Sequence, residues 1–170
     1  MDTGYFGGRG HAGKNNEHLG AVMKKKALVF AAVERGGTMR AHMMQDGSAR
    51  SHGDFIKENI SPADTRLMTD GAKHYRKVAA GYDRHFVEHT KGEYVRDDVH
   101  VNNIETFWAH VKRSIKGTHK GVSKKHLQSY LDGFVFLYSQ RRDSDYERFS
   151  ALLGALLHTA KHGSNARRLQ

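Results

Sequence analysis

The sequence contains no cysteine and only one proline among its 170 residues. Without cysteine there can be no disulfide and no zinc site built on thiolates, and a reducing compartment is the expected environment. No apolar run approaches the roughly 18 residues that a membrane-spanning helix needs. The first residues, Met1–Gly4, lack the charged start and apolar stretch of a signal peptide. These absences predict a soluble, cytoplasmic protein.

Acidic residues are scarce relative to basic ones. The 28 Lys and Arg residues against 18 Asp and Glu residues give a formal charge of +10. A surplus of this size favours an anionic partner, most often nucleic acid. A membrane surface is the weaker alternative, because no helix combines a basic face with exposed aromatic residues on the opposite face.

Histidine is abundant, with 13 copies. Two pairs have the i, i+4 spacing, His85 with His89 and His158 with His162. The first pair lies in a predicted strand, and the second lies where the last helix should fray, so a histidine metal cluster is only a weak hypothesis. We expect most of the histidines at the surface or in loops.

The hydrophobic pattern predicts strands followed by helices. Ala27–Val33 is an apolar run typical of a central strand, and Gly36-Gly37 is a two-residue hairpin signal. A mixed sheet flanked by helices, with extra C-terminal helices, is the expected α/β fold, and this succession is compatible with the ribonuclease H-like fold. We divide the chain into one domain at 1–142 and a C-terminal helix and basic tail at 143–170. The expected elements are strands at 1–8, 27–33, 38–44, 67–69 and 85–89, a mobile basic loop at 9–26, a polar loop at 90–102, helices at 51–59, just after 71–72, 101–117, 123–140 and 145–160, and a frayed basic tail at 161–170.

The helix predicted over Val101–Gly117 has one apolar face. Trp108 falls inside that face and is expected in the core rather than on a base, whereas Glu105 lies at the border between core and solvent. The alternative for Glu105 is structural, because Asn102 and Glu105 have the spacing of a capping box. On the helix alone, the cap is the favoured interpretation. The apolar face consists of Ile104, Phe107, Trp108, Val111 and Ile115.

Three acidic residues occupy informative positions. Asp2 lies in the first strand, Asp70 ends a later strand, where open α/β sheets place their sites, and Glu105 lies in the first turn of the helix. Taken singly, each has a structural alternative, since Asp70 could cap the next helix and Asp2 could be a disordered terminal residue. The acids that could replace Glu105 are Glu93, Asp97 and Asp98.

With these acids in place, the chain resembles the catalytic domain of bacterial insertion-sequence transposases of the DDE type, in the integrase-like, ribonuclease H-like superfamily. The most specific match is Ile-Glu-Thr-Phe-Trp around Glu105. It resembles the branch whose complete members carry a zinc-ribbon or helix-turn-helix region upstream, and the likeness covers about residues 1–142. The matching segments are Met1–Gly8, Val33–Gly37, Leu67–Tyr75 and Gly92–Phe136.

The resemblance implies that Asp2, Asp70 and Glu105 are a catalytic triad that binds two Mg²⁺ ions, for which Mn²⁺ can substitute. Carboxylates are natural ligands of such ions, and a pair of ions neutralises the attacking and leaving oxygens of a phosphodiester. The implied partner is double-stranded DNA, both element ends and target, and no membrane. The resemblance also implies a homo-oligomer when assembled on DNA, and a location at the nucleoid.

Basic residues follow Glu105 closely and are expected to contact the DNA backbone without reading its sequence. The alternative is an ordinary solvated helix face. His74 and His100 lie near the triad in sequence, where they could contact phosphate or transfer a proton, or simply lie at the surface. The expected DNA-binding residues are Lys112, Arg113, Lys116, Lys120, Lys124 and Lys125.

The match departs from the family at its start. The chain begins one residue before Asp2, and Thr3-Gly4 stands where the family usually has Glu-Thr, with a glycine that weakens a strand. The expectation is therefore an N-terminally truncated transposase with its catalytic residues present and its activity in doubt. The alternatives are an inactive basic DNA-binding remnant and a ribonuclease H-like nuclease without transposition activity.

Overall fold

The computed structural model describes residues 1–7, 26–63, 65–72, 75–87, 95–96 and 99–166. This part of the chain is a mixed α/β structure with small sheets and several helices. The strands are β1 (Asp2–Phe6), β2 (Ala27–Val33), β3 (Met39–Met44), β4 (Arg66–Asp70), β5 (Asp83–Val87), β6 (Val95–Arg96) and β7 (Val99–His100), and the helices are α1 (Ala49–Asn59), α2 (Tyr75–Val78), α3 (Asn102–Gly117), α4 (Lys124–Ser139) and α5 (Asp145–Ala166).

The first three strands form an antiparallel sheet in the order β1-β2-β3. Asp2 pairs with Ala31, and Val33 pairs with Met39. The predicted hairpin is confirmed, but its loop is longer than the two-residue signal indicated. Glu34 N–H donates to the Thr38 carbonyl at 3.0 Å, and Gly36 adopts a positive φ of 73°, which glycine tolerates without strain.

A parallel pair, β4 and β5, forms the second small sheet. The Met1 nitrogen donates to the Met68 carbonyl at 2.7 Å, which brings β4 to the start of β1. The mixture of antiparallel and parallel pairs agrees with the predicted mixed α/β class. The described residues form separate small sheets rather than the single sheet that we expected.

Two apolar cores lie on the two faces of β2. Val29 and Phe30 are both fully buried, but successive residues of a strand point to opposite faces, so they enter different cores. Val29 joins the α3-side core, which contains Ile104 of α3 and Leu131 of α4. Phe30 joins the α1-side core with Phe55, Ile56, Leu67 and Tyr75. Burial on both faces explains the continuous apolar run of β2.

Helix α3 buries the face that its sequence predicted. Ile104, Phe107, Trp108 and Val111 are at most 4% exposed, which confirms Trp108 as a core residue. The capping box is wrong, because the N-cap is Val101, it makes no side-chain cap hydrogen bond, and Asn102 is already helical.

Helix α4 packs one side chain against the outer edge of β3. Gln128 Oε1 accepts a hydrogen bond from Met43 N–H at 2.8 Å, and Gln128 Nε2 donates to the Ala41 carbonyl at 3.1 Å. The apolar period of this helix predicts an inward face that includes Leu127, Tyr130 and Leu131. Leu127 and Leu131 are buried. Tyr130 is instead exposed, and the centre of its ring lies 4.7 Å from that of the His119 ring.

The chain divides into two compact units, Met1–Tyr138 and Ser139–Gln170. The second unit contains α5, which begins with a capping box: Ser144 N–H donates to Glu147 Oε2 at 2.7 Å, and Glu147 N–H donates to Ser144 Oγ at 3.3 Å. The helix continues to Ala166, so the frayed tail predicted from residue 161 is wrong up to that point.

Other predictions fall on less regular regions. The polar loop over 90–102 contains an antiparallel pair, β6 with β7, that its composition did not indicate. The mobile loop at 9–26 lies almost wholly outside the described residues. No described helix is long and apolar enough to cross a membrane.

Candidate active site

Asp2 and Asp70 come together because the start of β1 meets β4, where the Met1 nitrogen donates a hydrogen bond to the Met68 carbonyl. Asp2 is the first residue of β1, and Asp70 is the last residue of β4, as its sequence position predicted. Both side chains line one cavity of about 310 Å³. The same cavity is lined by Thr3, Tyr5, Leu28, Gly47, His52 and Tyr75.

Glu105 approaches this site from the first turn of α3, where it is exposed. Burial raises the pKa of the Asp2 carboxyl above its ordinary value, and the negative charges of Asp70 and Glu105 raise it further. A hydrogen bond from the Thr3 backbone opposes these effects. Asp70 and Glu105, on two other elements, therefore both lie within electrostatic range of Asp2.

The chemistry of these groups suits a hard divalent cation, since carboxylate oxygens are the ligands that Mg²⁺ prefers. A bound cation would also relieve the repulsion that raises the pKa of Asp2. However, within the described residues, no group of three His, Asp or Glu side chains is already spaced to hold a metal ion.

Asp70 makes a local turn contact rather than the cap of the next helix that was its structural alternative, since α2 begins only at Tyr75. Asp70 Oδ1 accepts a hydrogen bond from Ala72 N–H at 3.1 Å, as a turn-forming aspartate does. A carboxylate has two oxygens with about four lone pairs, so this bond leaves most of its acceptor capacity available.

Arg84 of β5 donates hydrogen bonds to the last two residues of the neighbouring strand β4. Its Nη2 donates to the Asp70 carbonyl at 3.1 Å, and its Nε donates to Thr69 Oγ1 at 3.0 Å. The guanidinium carbon lies 4.7 Å from the centre of the Phe86 ring. Burial lowers the pKa of Arg84, and the charge of Asp70 opposes that effect. Sequence analysis missed this residue, because the predicted strand began at His85.

His52 is a second residue that sequence analysis missed. It lies in α1, is only 2% exposed and lines the cavity with Asp2 and Asp70. Its Nδ1 lies 2.8 Å from the Ser48 carbonyl and must donate there, so Nε2 faces Thr3 Oγ1 at 3.4 Å as an acceptor when the ring is neutral. His52 lies three residues before Phe55 and four residues before Ile56, so it shares their buried face of α1. This spacing is the sequence signal that could have indicated a buried histidine.

Tyr75 lies on the other side of Thr3. Burial strongly raises the pKa of the Tyr75 hydroxyl, and a hydrogen bond with Thr3 opposes the increase. Thr3 therefore lies between a buried tyrosine and a buried histidine, next to Asp2. Thr3, one of the two residues that differ from the pattern of the resembled family, is therefore part of the cavity wall.

The six predicted DNA-binding cations are all exposed, on α3, on the segment after it and in the first turn of α4. Lys112 Nζ lies 5.9 Å from the centre of the Phe6 ring. Among the other predicted residues, His74, His89, Glu93, Asp97 and Asp98 lie outside the described residues, and the side chain of His100 is not described.

Comparison with known proteins identifies the family. The model of the ISXO2-like transposase domain matches residues 1–139. The chain is also 30% identical over 147 residues to a Halobacterium salinarum protein described as an uncharacterized protein in transposable element ISH50. That alignment covers 85% of this chain and 50% of the relative, so the chain spans about half the relative's length. No solved structure matches. The chain belongs to the ISXO2-like transposases of insertion sequences.

Proposed function

We propose that this chain is the catalytic part of an insertion-sequence transposase that cuts DNA and joins its ends to target DNA. The observation that carries the proposal is the shared cavity of Asp2 and Asp70, together with the effect of Glu105 on the pKa of Asp2. Perturbed carboxylates in a cleft are typical of functional sites. Family membership makes DNA the substrate class.

The arrangement of strands supports a ribonuclease H-like sheet. β1 is antiparallel to β2, and the residue before it bonds to β4, which forms a parallel pair with β5. Helices contribute apolar side chains to both faces of β2. In this arrangement, acids on two strands and a helix can face one substrate.

Asp2, Asp70 and Glu105 are the residues that would hold two Mg²⁺ ions, or Mn²⁺ in their place. When bound, the ions would supply neutralising charge to the phosphodiester oxygens. Arg84 fixes the backbone that carries Asp70, and the acids need such fixed positions for in-line transfer.

The exposed cations on and after α3 supply the attraction for the DNA backbone. Lys112 lies seven residues beyond Glu105, about 10 Å along the helix axis, which is close enough to reach a phosphate near the cleaved bond. Assembly on paired DNA ends would require more than one copy of the chain, and we therefore propose a homo-oligomer on DNA.

The decisive test is a DNA cleavage and strand-transfer assay with Mg²⁺ or Mn²⁺, comparing the parent chain with Asp70→Asn and Glu105→Gln. We expect metal-dependent nicking and joined products from the parent and loss of at least about 100-fold in both variants. Glu58→Gln, which changes an exposed carboxylate in α1, is the matched control and should keep full activity. Equal activity of Asp70→Asn and the parent would sink the assignment.

A second readout does not depend on turnover. Mg²⁺ that binds the folded parent should raise its Tm, and the increase should disappear in Asp70→Asn but persist in Glu58→Gln. DNA binding with no Mg²⁺ effect on Tm would instead indicate an inactive DNA-binding remnant. Nicking without joined products would indicate a nuclease.

A further inference from the structure

The cavity of about 310 Å³ beside the two aspartates, which we call the β1 pocket, lies on the α1 side of β1. Phe6 points to the other side, where the centre of its ring lies 5.5 Å from that of Trp108 in α3. Successive residues of a strand alternate between the two faces, so Thr3 and Tyr5 point away from α3. Both residues line the β1 pocket, and β1 itself therefore separates a ligand in the pocket from α3.

The groups expected to attract DNA lie on the α3 side instead. Lys112 Nζ is 5.9 Å from the centre of the Phe6 ring, which points to that side. Glu105 and the other exposed cations lie on α3, on the segment after it or in the first turn of α4. A duplex held by these groups reaches the two aspartates from the α3 side, so a base that enters the β1 pocket has to turn out of the duplex.

The lining of the β1 pocket suits a flat and uncharged ring. Tyr75 and His52 are at most 2% exposed and lie at its buried end, whereas Tyr5 is 42% exposed and lies at its mouth. Among the described residues that line it there is no lysine or arginine, so a phosphate inside would lose its hydration without a compensating charge. Its volume is near the lower end of the roughly 300–1,000 Å³ typical of ligand pockets, which fits one small ring system.

Three residues shape the mouth of the pocket. Tyr5 and Leu28 are register partners on β1 and β2, so their side chains lie side by side on the same face of the sheet. Gly47 has no side chain, and a Cβ at this position would lie 3.4 Å from Leu28 Cδ2. A larger side chain at Gly47 would therefore fill space beside Leu28 that a ligand can now enter.

We propose that the β1 pocket accepts one DNA base, turned out of the duplex from a nucleotide next to the cleaved bond. This inference rests on the proposed function, because it assigns the pocket to the DNA that the acids would cut. A base is joined to its own phosphate through one sugar, so a phosphate held at Asp2 and Asp70 brings a base close to the cavity that they share. Enzymes that extrude a base hold it by stacking on aromatic side chains and by hydrogen bonds to its edge. Tyr5 supplies an aromatic ring, and Thr3 supplies a hydroxyl.

The test compares two duplex oligonucleotides of the same sequence. One is fully paired, and the other has an abasic site opposite a central thymine, so that this thymine is unpaired before the protein binds. Binding is measured with Ca²⁺, a hard cation that binds carboxylate oxygens as Mg²⁺ does. An unpaired base costs less to extrude, so the parent chain should bind the second duplex at least about fivefold more tightly than the first.

Two substitutions at the mouth should remove this preference. Tyr5→Leu removes the ring, and Gly47→Leu fills the space beside Leu28 at a glycine that has no positive φ. Both variants should bind the paired duplex within about twofold of the parent, because the cations that attract the DNA backbone are unchanged. Tyr146→Leu in α5 and Gly133→Leu in α4 are the matched controls at exposed positions, and both should keep the preference.

A photo-crosslink gives the location of the base. With 5-iodouracil in place of the unpaired thymine, irradiation should join the DNA to Tyr5 or to another residue of the β1 pocket, identified by mass spectrometry of the linked peptide. Crosslinking mainly to the aromatic pair of Tyr130 and His119, which belongs to α4 and the segment before it, would overturn the proposal. So would equal affinity of the parent for the two duplexes, or a preference that survives in either mouth variant.

Neither measurement requires cleavage, so the outcomes separate this inference from the proposed function. A base preference and a crosslink in the β1 pocket, with no nicking or joining by the parent, would retain the pocket assignment and overturn the catalytic role. Nicking and joining without a base preference would retain the catalytic role and overturn the pocket assignment.

Discussion

Helices α3 and α5 have similar apolar periodicity but are stabilised in different ways. In α3, Ile104, Phe107, Trp108 and Val111 are at most 4% exposed, and the N-cap makes no side-chain hydrogen bond. In α5, the helix starts with the Ser144–Glu147 capping box, and Arg148 Nη2 lies 2.8 Å from Asp145 Oδ1. The apolar residues of α5 are 44–62% exposed, namely Phe149, Leu152, Leu153, Leu156 and Leu157.

The difference shows that periodicity predicts a helix and the direction of its apolar face, but not what covers that face. Helix α3 depends on tertiary burial, which stabilises most protein helices. Helix α5, within its own unit, depends on local hydrogen bonds and charges. Truncating an apolar side chain should therefore destabilise α3 more than α5. Removing a polar residue at the helix start should destabilise α5 more than α3.

The largest effect should come from truncating the buried face of α3. Phe107→Ala should lower the free energy of unfolding by about 3–5 kcal/mol, because it leaves a cavity beside Trp108 and Tyr138. Leu156→Ala in α5 is the control, and it should change stability by no more than about 0.5 kcal/mol. Denaturant unfolding of both variants measures the contrast, and similar losses would contradict it.

Adding a methyl group beside the buried face of α3 should lower the free energy of unfolding by less than the Phe107 truncation. A Cβ on Gly4 would lie 2.9 Å from a Phe6 ring carbon and 3.1 Å from a Trp108 ring carbon, so Gly4→Ala should destabilise by about 1–3 kcal/mol. Gly133→Ala, in α4 with nothing within 4 Å of the new Cβ, should instead be neutral or stabilising by up to about 1 kcal/mol. Thermal unfolding compares them, and a tolerated Gly4→Ala would show that β1 and α3 are not packed as described.

Removing the cap of α5 should have a local effect. Ser144→Ala should cost roughly 1 kcal/mol of helix stability, measured as faster hydrogen exchange in the first turns of α5. The matched change in α3, Asn102→Ala, should leave exchange in α3 almost unchanged, because Asn102 is already helical and the N-cap, Val101, makes no side-chain cap bond. Equal effects in the two helices would remove the distinction between them.

A pH effect on stability should appear through Asp2, the first residue of β1. The folded state raises the pKa of this carboxyl, so its contribution is most favourable below the ordinary carboxyl pKa of about 4 and is lost as the pH rises. Asp2→Asn should therefore have a higher Tm than the parent at pH 7, while lacking activity, and the difference should close near pH 3. A Tm difference that grows at low pH would reverse the sign and contradict the interpretation.

The smallest effect on stability should come from the solvent-exposed face of α3. A Lys112→Gln and Lys116→Gln double variant should keep its Tm to within a few degrees. For DNA binding, its slope of log K against the logarithm of the salt concentration should be smaller in magnitude by nearly two. Lys57→Gln in α1 is the single-charge control. An unchanged salt slope in the double variant would show that this face does not contact DNA.

Local patterns predicted much of the fold. β2 has the predicted bounds, and α3 begins one residue after the predicted start, because a seven-residue apolar run and a clear apolar face leave few alternatives. The strand pair β6–β7 and the missing cap of α3 were not predictable, since both depend on neighbours distant in sequence. The sequence indicated only that Gly4 weakens its strand, whereas the structure shows that its missing side chain leaves room for the Trp108 ring.

For the candidate site, the sequence indicated acids at strand and helix ends but none of the residues that support them. Arg84 contacts Asp70 across a parallel strand pair, and His52 contacts Thr3 from a helix 49 positions away. Contacts between residues of separate elements leave no periodic pattern in the sequence from which they could be predicted. The assignment of Asp2, Asp70 and Glu105 as a triad remains a prediction for the cleavage assay.

The two hydrogen bonds that Gln128 makes to the backbone of β3 bear on how this strand can meet another molecule. An outer strand with free backbone groups is a template on which another molecule can add a strand, the first step of edge-to-edge aggregation. The amide of Gln128 occupies Ala41 and Met43 on that edge of β3 as a neighbouring backbone would. A single side chain on a helix thus occupies two of the backbone groups that an added strand would need.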